Sequence, residues 1–157
     1  MFRGVTHLNL DAKGRMAFPA KYRERLQSYC DGELVVTIHL PRGKEQRDRA
    51  LVIYPLPEWQ GLERQLQGMP AMDHKGQAIR KLLMGYANEC QVDGAGRILL
   101  SSPLREFAQL DKKLVLVGQG DRLELWSESI WQSCTEDWLA VLADGEPLSE
   151  AVASLTL

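Results

Sequence analysis

The sequence predicts an α+β fold in which two tandem hairpin repeats form one β-barrel-like core decorated with helices. A five-residue motif, Asp11-Ala12-Lys13-Gly14-Arg15, returns 82 residues later as Asp93-Gly94-Ala95-Gly96-Arg97. Apolar residues around the two motifs match at the same spacing, which indicates an internal duplication. One copy of about fifty residues buries too little surface to fold alone, so the two copies are expected to share a core.

Each copy is predicted to begin with a β-hairpin that has one apolar face. Alternation places Leu8 and Leu10 on one side of a strand, and Met16 and Phe18 return on the matching side. The corresponding residues of the second copy are Cys90, Val92, Ile98 and Leu100.

The turn between the two strands is predicted to depend on an aspartate and a glycine. Gly14 and Gly96 lie where a tight turn needs a positive φ that a side chain would penalise. The carboxylates of Asp11 and Asp93 can accept hydrogen bonds from the backbone N–H groups of their turns. These residues are therefore assigned a structural role.

The predicted organisation follows the duplication. Residues 5–58 form the first repeat, 59–86 a helical connector, 87–130 the second repeat and 131–157 an acidic helical segment. Helix-start signals and apolar spacing predict helices at or near Ala20, Pro57, Asp73, Ser102, Ser127 and Pro147.

Charge is distributed unevenly along the 157 residues, whose formal net charge is −2. All nineteen Lys and Arg lie at or before Arg122, with fourteen of the twenty-one acids, so residues 1–122 carry a net +5. The chain thus has a basic body and an acidic tail, a pattern compatible with a polyanionic partner.

The most basic structured part is the first hairpin and helix, and it is predicted to meet a phosphate backbone. Arg15 and Arg97, beside the glycine turns, can pair with their own aspartates, present a fork to a phosphate, or do both. The candidate DNA-binding residues are Arg3, Lys13, Arg15, Lys21 and Arg97. For Lys21 the alternative is a solvated helix face, and the charged loop at 41–49 is left open between solvation and DNA contact.

Enzymatic chemistry has one candidate form, a dyad of Asp11 and Asp93 that shares a proton and activates water. The basic neighbours Lys13, Arg15 and Arg97 argue against it, because they favour the ionised form of both carboxylates. The histidines and cysteines show no metal-ligand spacing, and no phosphate-binding glycine loop is present, so neither a metal nor another cofactor is predicted. Three cysteines without a C-x-x-C pair and the lack of an apolar run near 20 residues favour a cytoplasmic chain without membrane contact.

Several motifs give the chain a close resemblance to the bacterial MraZ family of transcriptional regulators. They are Met1-Phe2-Arg3-Gly4, Asn9-Leu10-Asp11-Ala12-Lys13-Gly14-Arg15, Tyr54-Pro55-Leu56-Pro57-Glu58-Trp59 and Glu89-Cys90-Gln91-Val92-Asp93-Gly94-Ala95-Gly96-Arg97. Two departures are Ser101-Ser102, where the family tends to have proline, and the charged insertion at 41–49.

The resemblance implies two fused AbrB/SpoVT-type swapped-hairpin repeats and assembly into a ring. It also implies binding of double-stranded DNA at direct repeats upstream of a cell-division and cell-wall gene cluster. We therefore predict a non-enzymatic, nucleoid-associated DNA-binding regulator that forms homo-oligomers. The alternatives are a carboxylate-dyad hydrolase and a protein-interaction ring that does not bind DNA.

Overall fold

The computed structural model describes residues 1–157. In chain order its elements are β1 Val5–Asn9, β2 Arg15–Ala17, α1 Ala20–Cys30, β3 Glu33–Ile38, β4 Leu51–Pro55, α2 Leu56–Gln67, α3 His74–Tyr86, β5 Asn88–Gln91, β6 Arg97–Leu99, α4 Ser102–Phe107, β7 Lys113–Gly118, β8 Leu123–Ser127, α5 Glu128–Leu142 and α6 Glu150–Ala153. None of the helices is both long and apolar enough to cross a membrane.

Six antiparallel strands form one sheet in the order β1-β7-β8-β4-β3-β5, and β2 pairs with β6 in a separate two-stranded ribbon. The predicted α+β class is confirmed. The barrel-like core is corrected to an open sheet, because β1 and β5 both lie at its edges. After each edge strand the chain turns into the ribbon, where β2 and β6 pair with each other instead of closing the sheet.

The two strands of each predicted hairpin do not pair with each other. Strand β1 pairs with β7 of the second copy, β5 pairs with β3 of the first, and the ribbon joins one strand from each copy. Alternation specifies which face of a strand is buried but not which strand lies beside it. The predicted local hairpins are therefore exchanged between the copies, which interleaves them.

The interleaved copies are related by an approximate twofold axis. The order of the six-stranded sheet reads the same when the copies are exchanged. In the ribbon Met16 lies opposite Ile98, its counterpart in the other copy. Strands β4 and β8 meet in the same way, with Val52 opposite Glu124. The axis thus passes between β4 and β8 in the six-stranded sheet and between β2 and β6 in the ribbon.

The main core contains 25 buried residues and takes side chains from both copies. Met16 and Ile98 are 1% and 2% exposed, so the ribbon closes one side of this core. A smaller cluster surrounds Trp126 and Cys134, where α5 covers the opposite face of β7 and β8. No cysteine is in a disulfide, and burial raises the pKa of the Cys90 thiol to about 11.

Candidate nucleic-acid interface

The first turn is organised by the carboxylate of Asp11. Its Oδ1 accepts hydrogen bonds from the backbone N–H groups of Lys13 and Arg15, both at 2.9 Å. Its Oδ2 accepts one from Nε of the Arg15 side chain at 2.8 Å. Gly14 adopts a φ of +84°, and its N–H donates to the carbonyl of Asp11 at 3.0 Å.

The second turn repeats this geometry. Oδ1 of Asp93 accepts from the N–H groups of Ala95 and Arg97 at 2.9 and 2.8 Å, and Oδ2 accepts from Nε of Arg97 at 3.2 Å. Gly96 adopts a φ of +75°. The Asp-x-x-Gly-Arg motif thus forms the same turn in both copies.

The pKa of both carboxyl groups is lowered in the fold. For Asp11 the main cause is the hydrogen bond from the backbone of Arg15, and for Asp93 it is the one from the backbone of Arg97. A dyad needs one carboxyl group whose pKa is raised so that it retains a proton. Two carboxylates that are each stabilised in the ionised form do not meet that requirement.

The guanidinium groups of Arg15 and Arg97 each donate only from Nε within the protein. Their terminal nitrogens make no protein hydrogen bond, and their side chains are 28% and 36% exposed. A planar guanidinium oriented by its own aspartate keeps both terminal nitrogens, with four N–H groups, for phosphate oxygens. The two roles considered for these arginines, turn partner and phosphate fork, are therefore geometrically compatible.

The ribbon places the two arginines on one surface. Arg15 lies opposite Leu99, and Ala17 lies opposite Arg97. In a strand pair, residues directly opposite each other and residues two positions along share a face. Arg15 and Arg97 therefore lie diagonally across the outer face, with about 7–8 Å between their Cα atoms. Met16 and Ile98 occupy the inner, buried face.

The other candidate residues fall into two groups. Lys13 is exposed within the first turn. Arg3 precedes β1, and the start of α1 lies beside it: a Cβ on Gly4 would be 3.5 Å from Nζ of Lys21, and the hydroxyl of Tyr22 donates to the carbonyl of Arg3. The length of β1 from Val5 to Asn9, about 13 Å at ~3.3 Å per residue, separates Arg3 from the first turn.

Two arginines at this surface were not among the candidates. Arg23 of α1 contacts Gly96 in the second turn, and Arg105 of α4 contacts Gly14 in the first. The 82-residue offset aligns Arg23-Glu24 with Arg105-Glu106 and so contained a signal. The sequence does not show that each arginine reaches the turn of the opposite copy.

The charged loop at 41–49 lies against α5. Arg47 forms an ion pair with Asp137 at 3.2 Å, and the carboxylate of Asp48 accepts from the backbone N–H of Arg42. The guanidinium of Arg49 lies 4.8 Å from the ring centre of Phe107. Two of its arginine side chains, Arg47 and Arg49, thus have partners within the chain.

Fold and site together define a class of duplicated α+β proteins with two interleaved repeats, each presenting an aspartate-braced arginine on a shared ribbon. The family model described as "MraZ protein, putative antitoxin-like" matches residues 1–82 and 83–143. The chain belongs to the MraZ family.

Similar proteins extend over nearly all of the chain. A protein of Alkalilimnicola ehrlichii is 51% identical over 158 residues, covering 100% of both chains. One of Halorhodospira halophila is 53% identical with 93% of each chain covered, and one of Thioalkalivibrio sulfidiphilus is 46% identical with 100% of each covered. All three are named "Transcriptional regulator MraZ". The family is one of regulators rather than enzymes, which agrees with the non-enzymatic prediction.

Proposed function

We propose that this chain is a sequence-specific DNA-binding transcriptional regulator whose contact surface is the outer face of the β2–β6 ribbon. The observation that carries the proposal is the pair of arginines on that face, each oriented by an aspartate and each with free terminal donors. Such forks bind phosphate oxygens through charge-assisted hydrogen bonds.

The first turn is proposed to contribute more affinity than the second. Lys13 adds a positive charge that Ala95 lacks, while the backbone geometry of the two turns is the same. Arg3 and Lys21 lie beyond the other end of β1 and are proposed to contact a more distant phosphate. The names of the relatives and the basic charge of residues 1–122 support this assignment.

A gel-shift titration of the intact chain on the DNA upstream of its own gene tests the proposal, with shuffled DNA of equal length as control. At 150 mM salt we expect retention on the upstream DNA alone, and loss as salt rises, since each neutralised phosphate releases a counterion. Equal retention on both DNAs would refute sequence specificity. No retention even at 50 mM salt would favour the protein-interaction alternative.

We further propose that the chain acts as a homo-oligomeric ring on direct repeats in the nucleoid. One subunit offers few phosphate contacts, so tight specific binding at physiological salt requires several subunits. Identical subunits side by side can each meet one repeat only if successive repeats face the same side of the duplex, roughly one helical turn apart. The resemblance to MraZ proteins supports this arrangement.

Repeat spacing tests the ring. Inserting about five base pairs between two repeats should rotate the second to the far side of the duplex and remove much of the affinity, and about ten should restore part of it. Light scattering of the free protein measures the subunit number. Affinity that is indifferent to spacing, or an isolated repeat that binds as tightly as the array, would refute the ring-on-repeats arrangement.

A further inference from the structure

Each turn glycine is covered by an arginine from the other copy. A Cβ on Gly96 would overlap Nε of Arg23, and one on Gly14 would lie 3.0 Å from Nε of Arg105. Neither position has room for a side chain unless the arginine moves. These glycines therefore provide the positive φ of the turn and also the space for the guanidinium of the opposite copy.

A short chain of hydrogen bonds links each arginine to the turn that it covers. Nε of Arg23 donates to the carbonyl of Phe18 at 2.6 Å, and the N–H of Phe18 donates to the carbonyl of Gly96 at 2.8 Å. The N–H of Gly96 in turn donates to the carbonyl of Asp93 at 2.9 Å. One arginine thus supports the second turn by packing and through Phe18.

The same arrangement occurs across the twofold axis. Nε of Arg105 donates to the carbonyl of Leu100 at 3.1 Å, the N–H of Leu100 donates to the carbonyl of Gly14 at 2.9 Å, and the N–H of Gly14 donates to the carbonyl of Asp11 at 3.0 Å. Two sets of different neighbouring residues give the same contact, so the contact follows from the motif and not from a local accident of packing.

We propose that Arg23 and Arg105 are positioning residues that act across the copies, so that Arg105 orders the first turn and Arg23 orders the second. A flat guanidinium can lie on a glycine backbone while its Nε donates to a carbonyl, and the ammonium group of lysine cannot do both. The proposal assigns control of each turn to a residue in the repeat that does not contain it.

Its consequence for DNA rests on the proposed function. Because the first turn carries Lys13 and Arg15, Arg105→Ala should weaken DNA binding more than Arg23→Ala. Charge in the sequence indicates the opposite ranking, because Arg23 lies in the more basic copy. The conformational order of each turn does not depend on DNA and can be measured in the free protein.

Hydrogen exchange followed by mass spectrometry on the free full-length chain tests the proposal. Arg105→Ala should speed exchange in peptides covering 11–16 by about fivefold, the effect of losing one ordinary hydrogen bond, and leave those covering 93–98 unchanged. Arg23→Ala should speed exchange in peptides covering 93–98 and leave those covering 11–16 unchanged. Glu24→Ala and Glu106→Ala are the matched controls, because both carboxylates are exposed and accept no hydrogen bond.

Faster exchange in the turn of the same copy, or equal acceleration in both turns, would overturn the proposal. Arg105→Lys and Arg23→Lys keep the charge and most of the stem, and they carry the same test if the alanine variants do not fold. Exchange as slow as in the wild type in these lysine variants would also overturn it, because charge alone would then suffice. If the wild-type chain fails to bind DNA, the proposed function falls while the exchange result stands.

Discussion

The two turns of this molecule share one geometry and differ in charge. Each has an aspartate that accepts two backbone N–H groups and one arginine Nε, with distances that agree within 0.4 Å between the copies. Lys13 in the first turn is replaced by Ala95 in the second. The side chains that make the turn are the same in both copies, and the charge differs at a position that contributes only its backbone N–H, so one copy can change its charge without losing its shape.

The helices that follow the two turns also differ in charge. Lys21 and Arg25 of the first copy are replaced by Pro103 and Phe107 in the second. Phe107 packs against Tyr86, with 5.5 Å between ring centres, and receives Arg49 on its face. At the position of Phe107 the second copy therefore packs against the connector and the loop, whereas the first copy has the charged Arg25 there.

The largest expected effect tests whether the copies are one folding unit. Met16→Ala and Ile98→Ala each remove a buried side chain on the twofold axis, and each should lower the free energy of unfolding by about 2–5 kcal/mol. Because the two residues pair across the copies, we expect a single unfolding transition with a similar loss for both. Urea titration measures this.

Val5→Ala, at a residue 51% exposed, is the control and should change stability little. Two separate transitions, one for each copy, would contradict the interleaved core.

The next effect compares the two arginines on the ribbon. Arg15→Ala should fold and assemble but lose roughly tenfold or more in DNA affinity, because a charge-assisted contact is removed while Asp11 and Gly14 keep the turn. Arg97→Ala should lose less, because its turn lacks a counterpart of Lys13. Gel shifts on the upstream DNA measure both, and equal losses would show that the copies contribute equally.

Much of the fold could be predicted from the sequence because its signals are local. The duplicated motif predicted two repeats, and Asp73 and Ser127 marked helix starts that the structure confirms, each accepting a hydrogen bond from the N–H three residues later. Strand pairing is not local. The spacing of Leu8 and Leu10 is the same whether β1 pairs with β2 or with β7, so the exchange between copies and the open sheet could not be read from it.

The candidate site shows the same limit. The geometry of Asp11 with Arg15 depends on residues within one turn, and the motif was sufficient to predict that they lie together. Arg23 and Gly96 are 73 residues apart in the sequence and meet only because the copies are interleaved.

A smaller effect should follow from moving one charge between the turns. Lys13→Ala removes one phosphate contact from each subunit that binds DNA, and near 150 mM salt this should cost about fivefold per contact. Ala95→Lys should add a similar contact, because the N–H groups at both positions donate to the turn aspartate at 2.9 Å. The double variant Lys13→Ala/Ala95→Lys keeps the net charge and should bind between the wild type and Lys13→Ala.

Salt titration of the same gel shifts checks the interpretation. Lys13→Ala should reduce the slope of log affinity against log salt by about one for each phosphate that the protein no longer neutralises. An unchanged slope would show that Lys13 does not meet a phosphate.

The smallest expected effect concerns acid. The backbone hydrogen bonds hold the pKa of Asp11 and Asp93 below the ordinary value in the folded chain. A carboxyl group with a lower pKa in the folded state stabilises the fold above its unfolded pKa, and this stabilisation is lost as pH falls through the folded pKa. The relevant window therefore lies below about pH 4.

In the double variant Asp11→Asn/Asp93→Asn the turns no longer titrate, so the melting temperature of this variant should fall less than that of the wild type between pH 5 and pH 3. Glu24→Gln/Glu106→Gln removes two exposed carboxyl groups that accept no hydrogen bond and should follow the wild type. If the asparagine variant falls as steeply as the wild type, the turn carboxylates contribute nothing to acid stability, and the likeness of the two turns is one of shape without a shared energetic role.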